Sequence, residues 1–303
     1  MSEHYPRIRI HAENGYLLMR EGLSICFYMH SSHQEVVRAV MHSLDVYLGV
    51  VGPQSLGWYD IGEGEWQKLD DEGWAVSRRK MLEKFNAHVT LRDALSGECR
   101  YGFEYHGHAL DMLFPHERLE AGCAVSFLLP TEYLDAHGPG RVRELALELA
   151  APLPFCSGHA GLSFNGETEP LSMSGEAGEL CFRYPGLDVP NLDWMSWKLG
   201  TRVRGAYWLT FLGQPVLGAL GGTAELRSRL SSPDTTVQEL EGERVAVTLG
   251  RWPEAGDAER GQMLPAYREL ARVLEPWTYH EEHIIRPESD ARKRRRWERR
   301  FLD

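Results

Sequence analysis

The chain has 303 residues, 43% of them hydrophobic and 25% charged, with a formal net charge of −11. These are ordinary globular proportions, which exclude extended disorder and fibrous repeats. The length suffices to bury a core without disulfide or metal staples, in one large domain or two.

Residues 23–29 (LSICFYM) read as a first strand, and Ser32 and Glu35 stand at the spacing of a helix capping box. Val36, Val37, Val40, Met41, Leu44, Tyr47, Leu48 and Val51 then recur at helical spacing as one broad apolar face, stopped by Gly52-Pro53. The acidic, tryptophan-rich stretch LGWYDIGEGEWQKLDDEGW follows as a short strand with turns. Asp71 can cap a second helix carrying Trp74, Met81, Leu82 and Phe85 on its inner face. Residues 87–92 and 98–106 alternate around the turn signal ALSG, a hairpin pattern with Cys99, Tyr101, Phe103 and Tyr105 on one face.

A strand at 122–129 leads through Gly138-Pro139-Gly140 into a helix with Val142, Leu145, Ala146 and Leu149 turned inward. Pro152 and Pro154 end it before GHAGLSFNG, the next strand. Pro190 can start a helix bearing Trp194 and Trp197 and stopping at Gly200, before a strand at 206–212 and a short helix from Pro215. This Trp/Gly block reads as core, with aromatic anchors of a binding surface as the second reading. A third strand and helix run from RVAVTLG to Tyr267, Leu270, Ala271 and Leu274.

Three strand–helix units without parallel-sheet regularity predict an α+β fold, a mixed, mainly antiparallel sheet packed by amphipathic helices. The first two units share one element order, as two diverged repeats would. The expected organisation is one large domain over residues 1–290, open to division into subdomains near 115–122, with a basic tail at 291–303. No stretch reaches the roughly 18 to 20 apolar residues of a membrane-spanning helix, and the charged opening MSEHYPRIRIHAENG does not read as an export signal. Cys26, Cys99, Cys123, Cys156 and Cys181 are odd in number and widely spaced, which fits reduced thiols and a cytoplasmic location.

Charge is unevenly placed. The tail holds seven basic and two acidic residues, leaving residues 1–290 with 26 basic against 42 acidic, a formal −16. Such a body repels phosphate backbones, so direct nucleic-acid binding is not expected, and it suits a basic protein partner.

Candidates for chemistry are few. His106 and His108 would share a strand face and could chelate a metal with Asp111 or His116, but the set is incomplete and neither metal nor cofactor is expected. The cluster His280, Glu281, Glu282, His283 lacks the H-E-x-x-H spacing. Asp60, Glu65 and Lys68 loosely echo a metal-dependent nuclease without its E-x-K spacing. Neither a G-x-S-x-G elbow nor a phosphate loop is present. A metal-dependent hydrolase using His106 and His108 is the second reading, and a structural component of a secretion machine the third.

The run LGTRVRGAYWLTFLGQPVLGALGG, preceded by GHAGLSFN and RYPGLDVP, resembles the bacterial type VI immunity family. Its strongest elements are Trp208, Thr210, Phe211 and Gly213 with Gly221 and Gly222, expected to be structural, and the likeness spans residues 20–275 with the basic tail outside it. The resemblance implies a cytoplasmic antidote that binds a cognate toxin encoded by the adjacent gene, often a nuclease, and blocks its active site without catalytic residues of its own. The acidic carboxylates interleaved with tryptophans make Trp58, Asp60, Glu63, Glu65, Trp66, Asp70, Asp71 and Glu72 the expected toxin-binding residues.

Overall fold

The computed structural model describes residues 4–62, 64–83, 85–95, 98–166, 175–281 and 288–303. In chain order it runs β1 (Arg9–His11), β2 (Leu17–Met29), α1 (His33–Val51), β3 (Trp58–Asp60), β4 (Gln67–Lys68), α2 (Asp71–Glu83), β5 (Ala87–Arg92), β6 (Gly102–Gly107), α3 (Pro115–Glu120), β7 (Cys123–Pro130) and α4 (Thr131–Ala150). There follow β8 (Ser157–Gly166), α5 (Gly175–Arg183), α6 (Leu192–Lys198), β9 (Leu209–Leu212), α7 (Val216–Ala219), α8 (Gly222–Ser228), β10 (Thr235–Leu240), β11 (Arg244–Leu249), α9 (Pro265–Leu274) and α10 (Glu288–Glu298). The fold is α+β.

The strands form an 11-stranded sheet in the order β10-β11-β9-β8-β2-β7-β6-β5-β3-β4, with β1 added to β2. Each strand pair in it is antiparallel. The central strand β2 is buried on both sides, and it and its neighbour β7 are each followed by a long helix. Helices α1 and α4 pack together over the sheet, the Ser43 hydroxyl donating to the Leu149 carbonyl at 2.9 Å. The α1 face predicted from periodicity is the buried one: Val36, Val37, Val40, Leu44, Tyr47 and Leu48 lie in the core, and Ser32 and Glu35 form the capping box. Gly138, at φ 77°, and Pro139 kink α4, so its two halves follow the curved sheet separately.

Two details depart from the sequence expectation. Strand β6 begins at Gly102 instead of residue 98, since the Arg100 N–H donates to the Asp93 carboxylate at 3.1 Å and not to a partner strand. The C-terminal segment is also no free basic tail. Trp297 and Phe301 are buried in the main core, and the Arg300 guanidinium lies over the Trp297 ring at 3.9 Å and donates to the Pro185 carbonyl at 2.7 Å. Arg294 pairs with Glu281 at 3.3 Å. Hydrophobic residues inside the basic run thus decide its placement. All five cysteines are free thiols, and among the described residues no helix is long and apolar enough to cross a membrane.

A candidate protein-binding face

The acidic stretch forms one end of the sheet. Strand β3 pairs with β4 through Trp58↔Lys68 and Tyr59↔Gln67, and the turn between them is gathered by Asp60, whose Oδ1 accepts the Gly62 N–H at 2.8 Å. Glu65 is exposed, Trp58 and Trp66 are half-buried, and the Arg92 guanidinium stands 4.9 Å from the Trp66 ring centre. Glu63 lies outside the described residues. Asp70 Oδ1 accepts the Gly73 N–H at 2.9 Å and so caps α2, while Asp71 and Glu72 are exposed in its first turn, where unpaired N–H groups favour negative charge. The structure therefore gives Asp60 and Asp70 local structural tasks and leaves Glu65, Asp71 and Glu72 facing outward.

Helix α2 does not turn Leu82 and Phe85 inward as expected. Gly73, Ser77 and Met81, four residues apart, form its buried stripe. Gly73 sits so close to Tyr59 that a Cβ there would come within 2.8 Å of the ring, which rotates Leu82 outward. Leu82 and Phe85 thus join Met112, Phe114, Leu119 and Trp197 as exposed apolar side chains; Phe114 and Leu119 are 69% and 75% exposed. Sequence reading placed Leu82 and Phe85 inward on helical spacing, and read no pattern at Met112, Phe114 or Leu119.

Hydrogen bonds hold these groups in one arrangement. The Ala109 N–H donates to Asn86 Oδ1 at 2.7 Å, which joins the end of α2 to the β6–β7 connection. The His108 ring lies tilted against Trp197, centres 3.9 Å apart, and its Nε2 lies 2.8 Å from the Ser196 hydroxyl, joining that connection to α6. Glu117 accepts the Phe114 N–H at 3.1 Å, and Pro115 starts α3, so Phe114 is held outward by a fixed turn. Beneath them His33 Nε2 donates to the Met81 carbonyl and Nδ1 accepts from the Tyr105 hydroxyl, both at 2.8 Å. Burial pushes the His33 imidazole below its usual pKa, and burial with neighbouring histidines pushes His108 down to about 4.

The expected chelating pair does not converge. His106 faces Glu104 and Asp193, whereas His108 binds Ser196; Asp111 accepts from the Ser32 hydroxyl at 3.0 Å and His116 stacks on Phe114. The sequence also gave no sign of His88, which β5–β6 register places directly opposite His106. Of the second histidine cluster, Glu282 and His283 lie outside the described residues.

Of the residues that carry the resemblance, Trp208, Thr210, Phe211 and Gly213 lie in the interior, whereas Gly221 is exposed and Gly222 half-buried. Trp208, Thr210 and Phe211 are buried in and beside β9, and Trp208 Nε1 donates to the Gly250 carbonyl at 3.2 Å. At Gly213 a Cβ would sit 2.3 Å from the Phe155 carbonyl oxygen, so only glycine fits; Gly221 and Gly222 both hold positive φ. Beside them Asp188 accepts from Arg204 at 3.2 Å and from the Tyr207 hydroxyl at 3.0 Å, with His159 Nε2 at 3.3 Å. Burial alone would raise the Asp188 pKa, but the Arg204 guanidinium and His159 outweigh it and hold the carboxyl well below the usual range. Burial likewise lowers His159 against the pull of Asp188.

A family model described as type VI immunity for VRR-NUC, TsiV, matches residues 39–301. Among solved structures the chain is similar to the Pseudomonas aeruginosa T6SS protein PA0821, with a TM-score of 0.76 and 20% identity over 97% of this chain and 87% of that one, a likeness of fold. No curated protein matches it. The family match runs past residue 275 to 301, which corrects the expectation that the basic segment lies outside it and agrees with the burial of Trp297 and Phe301. From the interior network to the C-terminal segment, then, the chain belongs to the TsiV family, type VI immunity for VRR-NUC.

Proposed function

We propose that this protein binds a VRR-NUC toxin in the cytoplasm and blocks its nuclease site by covering it, as a protein complex that involves no catalysis by the immunity protein and no direct contact with nucleic acid. The observation that carries this reading is the exposure of six apolar side chains on segments tied together by hydrogen bonds, with the exposed carboxylates of Asp71 and Glu72 at the start of α2. A nuclease presents a basic groove to phosphates, so carboxylates steer the encounter. Desolvated aromatic anchors then slow dissociation. Helix α2 links the two halves, with Asp71 and Glu72 at one end and Leu82 at the other, about 15 to 18 Å apart at 1.5 Å per residue. The unbroken sheet supports treating the chain as a single folding unit that presents this face as a rigid body.

The test is co-expression with the VRR-NUC toxin encoded by the adjacent gene. The expected result is a stoichiometric complex on size exclusion and loss of the toxin's DNA cleavage when the two are mixed. Full cleavage in the presence of excess immunity protein, or self-assembly without toxin uptake, would overturn the reading.

A further inference from the structure

We propose that His88, Glu104 and His106 form a binding site for a transition-metal ion of the zinc class, with Asp193 as the residue that positions His106. In the β5–β6 pairing His88 stands opposite His106 and Thr90 opposite Glu104. These four side chains share one sheet face, because Val89, Leu91, Phe103 and Tyr105, which alternate with them, enter the core. Helix α6 reaches over this face and brings Asp193 Oδ1 to 3.3 Å from His106 Nδ1. The acidic β3–β4 turn closes the opposite flank, with Gly62 so near that a Cβ would lie 3.1 Å from that of His88.

The geometry of His106 asks for a cation. Nδ1 faces Asp193 and Nε2 faces Glu104 Oε1 at 2.7 Å, yet a neutral imidazole carries only one N–H. One of the two contacts therefore needs an added positive charge. A metal ion at Nε2 also engages His88, whose ring centre is 4.2 Å from that of His106.

One ligating atom from each of His88, Glu104 and His106 lies within 4.8 Å of the others. Bonds of about 2.0 to 2.2 Å in a tetrahedron need about 3.4 Å between ligand atoms, so the His106 Nε2–Glu104 Oε1 pair, now at 2.7 Å, widens while His88 draws in, adjustments that side-chain rotation supplies. With Nδ1–H donated to Asp193, Nε2 is the ligating atom, the carboxylate–histidine–metal arrangement that fixes a tautomer. Two imidazoles and one carboxylate suit Zn2+, Co2+ or Ni2+ better than Mg2+ or Ca2+. The fourth position stays open toward solvent on the half-buried His88 side.

The test titrates the full chain, first stripped with chelator, with Zn2+ alone and with Co2+ alone. One saturable equivalent is expected, with visible Co2+ absorption of a low-coordinate nitrogen and oxygen site and a rise in unfolding temperature. His88→Ala and Glu104→Gln should each weaken binding at least tenfold, Asp193→Asn roughly 10- to 100-fold, and His42→Gln, at an exposed position of α1, should leave it unchanged. Because His106 is buried, His88→Ala carries the test should His106→Ala fail to fold, with circular dichroism in chelator as the folding control. Non-saturating binding by the wild type, or equal uptake by His88→Ala, would overturn the proposal.

Discussion

Two regions of this molecule use polar groups in opposite ways. Around Asp188, Arg204, His159 and Tyr207 charge is paired and nearly all buried, the Arg204 side chain being 7% exposed, and the network joins β8, the segments before β9 and, through Arg300, the C-terminal segment. On the face built by α2, the β3–β4 edge and the β6–β7 connection, apolar side chains are exposed and the nearby carboxylates are left to solvent. The first region spends its polarity on holding the fold in one register. The second holds large apolar surface out of the core, an arrangement that lowers the free energy only when something covers it.

The sharpest way to break that contrast is to remove one partner from the buried pair. Arg204→Met leaves the Asp188 carboxylate uncompensated and should cost about 3 to 5 kcal/mol, read as a lower urea midpoint. Truncation after Asp290 should destabilise at least as much, since it removes Trp297 and Phe301 from the core and Arg300 from Tyr207. Were the C-terminal segment only a solvated basic tail, truncation would leave the midpoint unchanged and strengthen attraction to a basic partner.

The exposed face should respond in the reverse sense. Phe114→Ala with Leu119→Ala should weaken toxin binding by about 2 kcal/mol or more through faster dissociation, with stability altered by less than about 0.5 kcal/mol. Reversing Asp71 and Glu72 to Lys should instead slow association and flatten its salt dependence; Asp70 is spared because it caps α2. Association and dissociation rates at two salt concentrations separate the two variants. Unchanged rates in both would place the toxin elsewhere on the molecule.

What could be read from the sequence follows the same division. Helix α1 was legible because its apolar period, its capping box and Gly52-Pro53 all agree, β2 and β7 because of the short apolar runs LSICFYM and CAVSFLL, and β8 because GHAGLSFNG follows the helix stop at Pro152 and Pro154. The α+β class followed. The family was legible from Trp208, Phe211 and Gly213, whose identities the packing around β9 restricts. The exposed face was legible only at its acidic edge. Leu82 and Phe85 looked like core, since apolarity alone cannot tell an inward residue from one rotated outward by the approach of Gly73 to Tyr59. His88 escaped notice because its nearness to His106 depends on the β5–β6 register and not on spacing along the chain.

His33 lies beneath the exposed face and supports the smallest effect. It is buried, its backbone N–H donates to the His108 carbonyl at 2.8 Å, and its ring links Met81 on α2 to Tyr105 on β6. Gly107 is shaped around it, since a Cβ there would fall 2.4 Å from His33 Nδ1. Burial places the folded-state pKa of His33 below the unfolded value of about 6.5. The unfolded chain therefore binds more protons in that window, so the contribution is complete above about pH 6.5 and is lost as pH falls toward the folded-state pKa. His33→Gln should cost roughly 1 to 3 kcal/mol at pH 7 through its two ring hydrogen bonds, and this cost should shrink at pH 5, where the wild type has lost part of its advantage. Urea unfolding of both proteins at pH 7, 6 and 5, in chelator, measures the difference. A cost that stays constant over this range would show that the His33 ring is not held neutral, and that acid weakens the support beneath the exposed face by some other group.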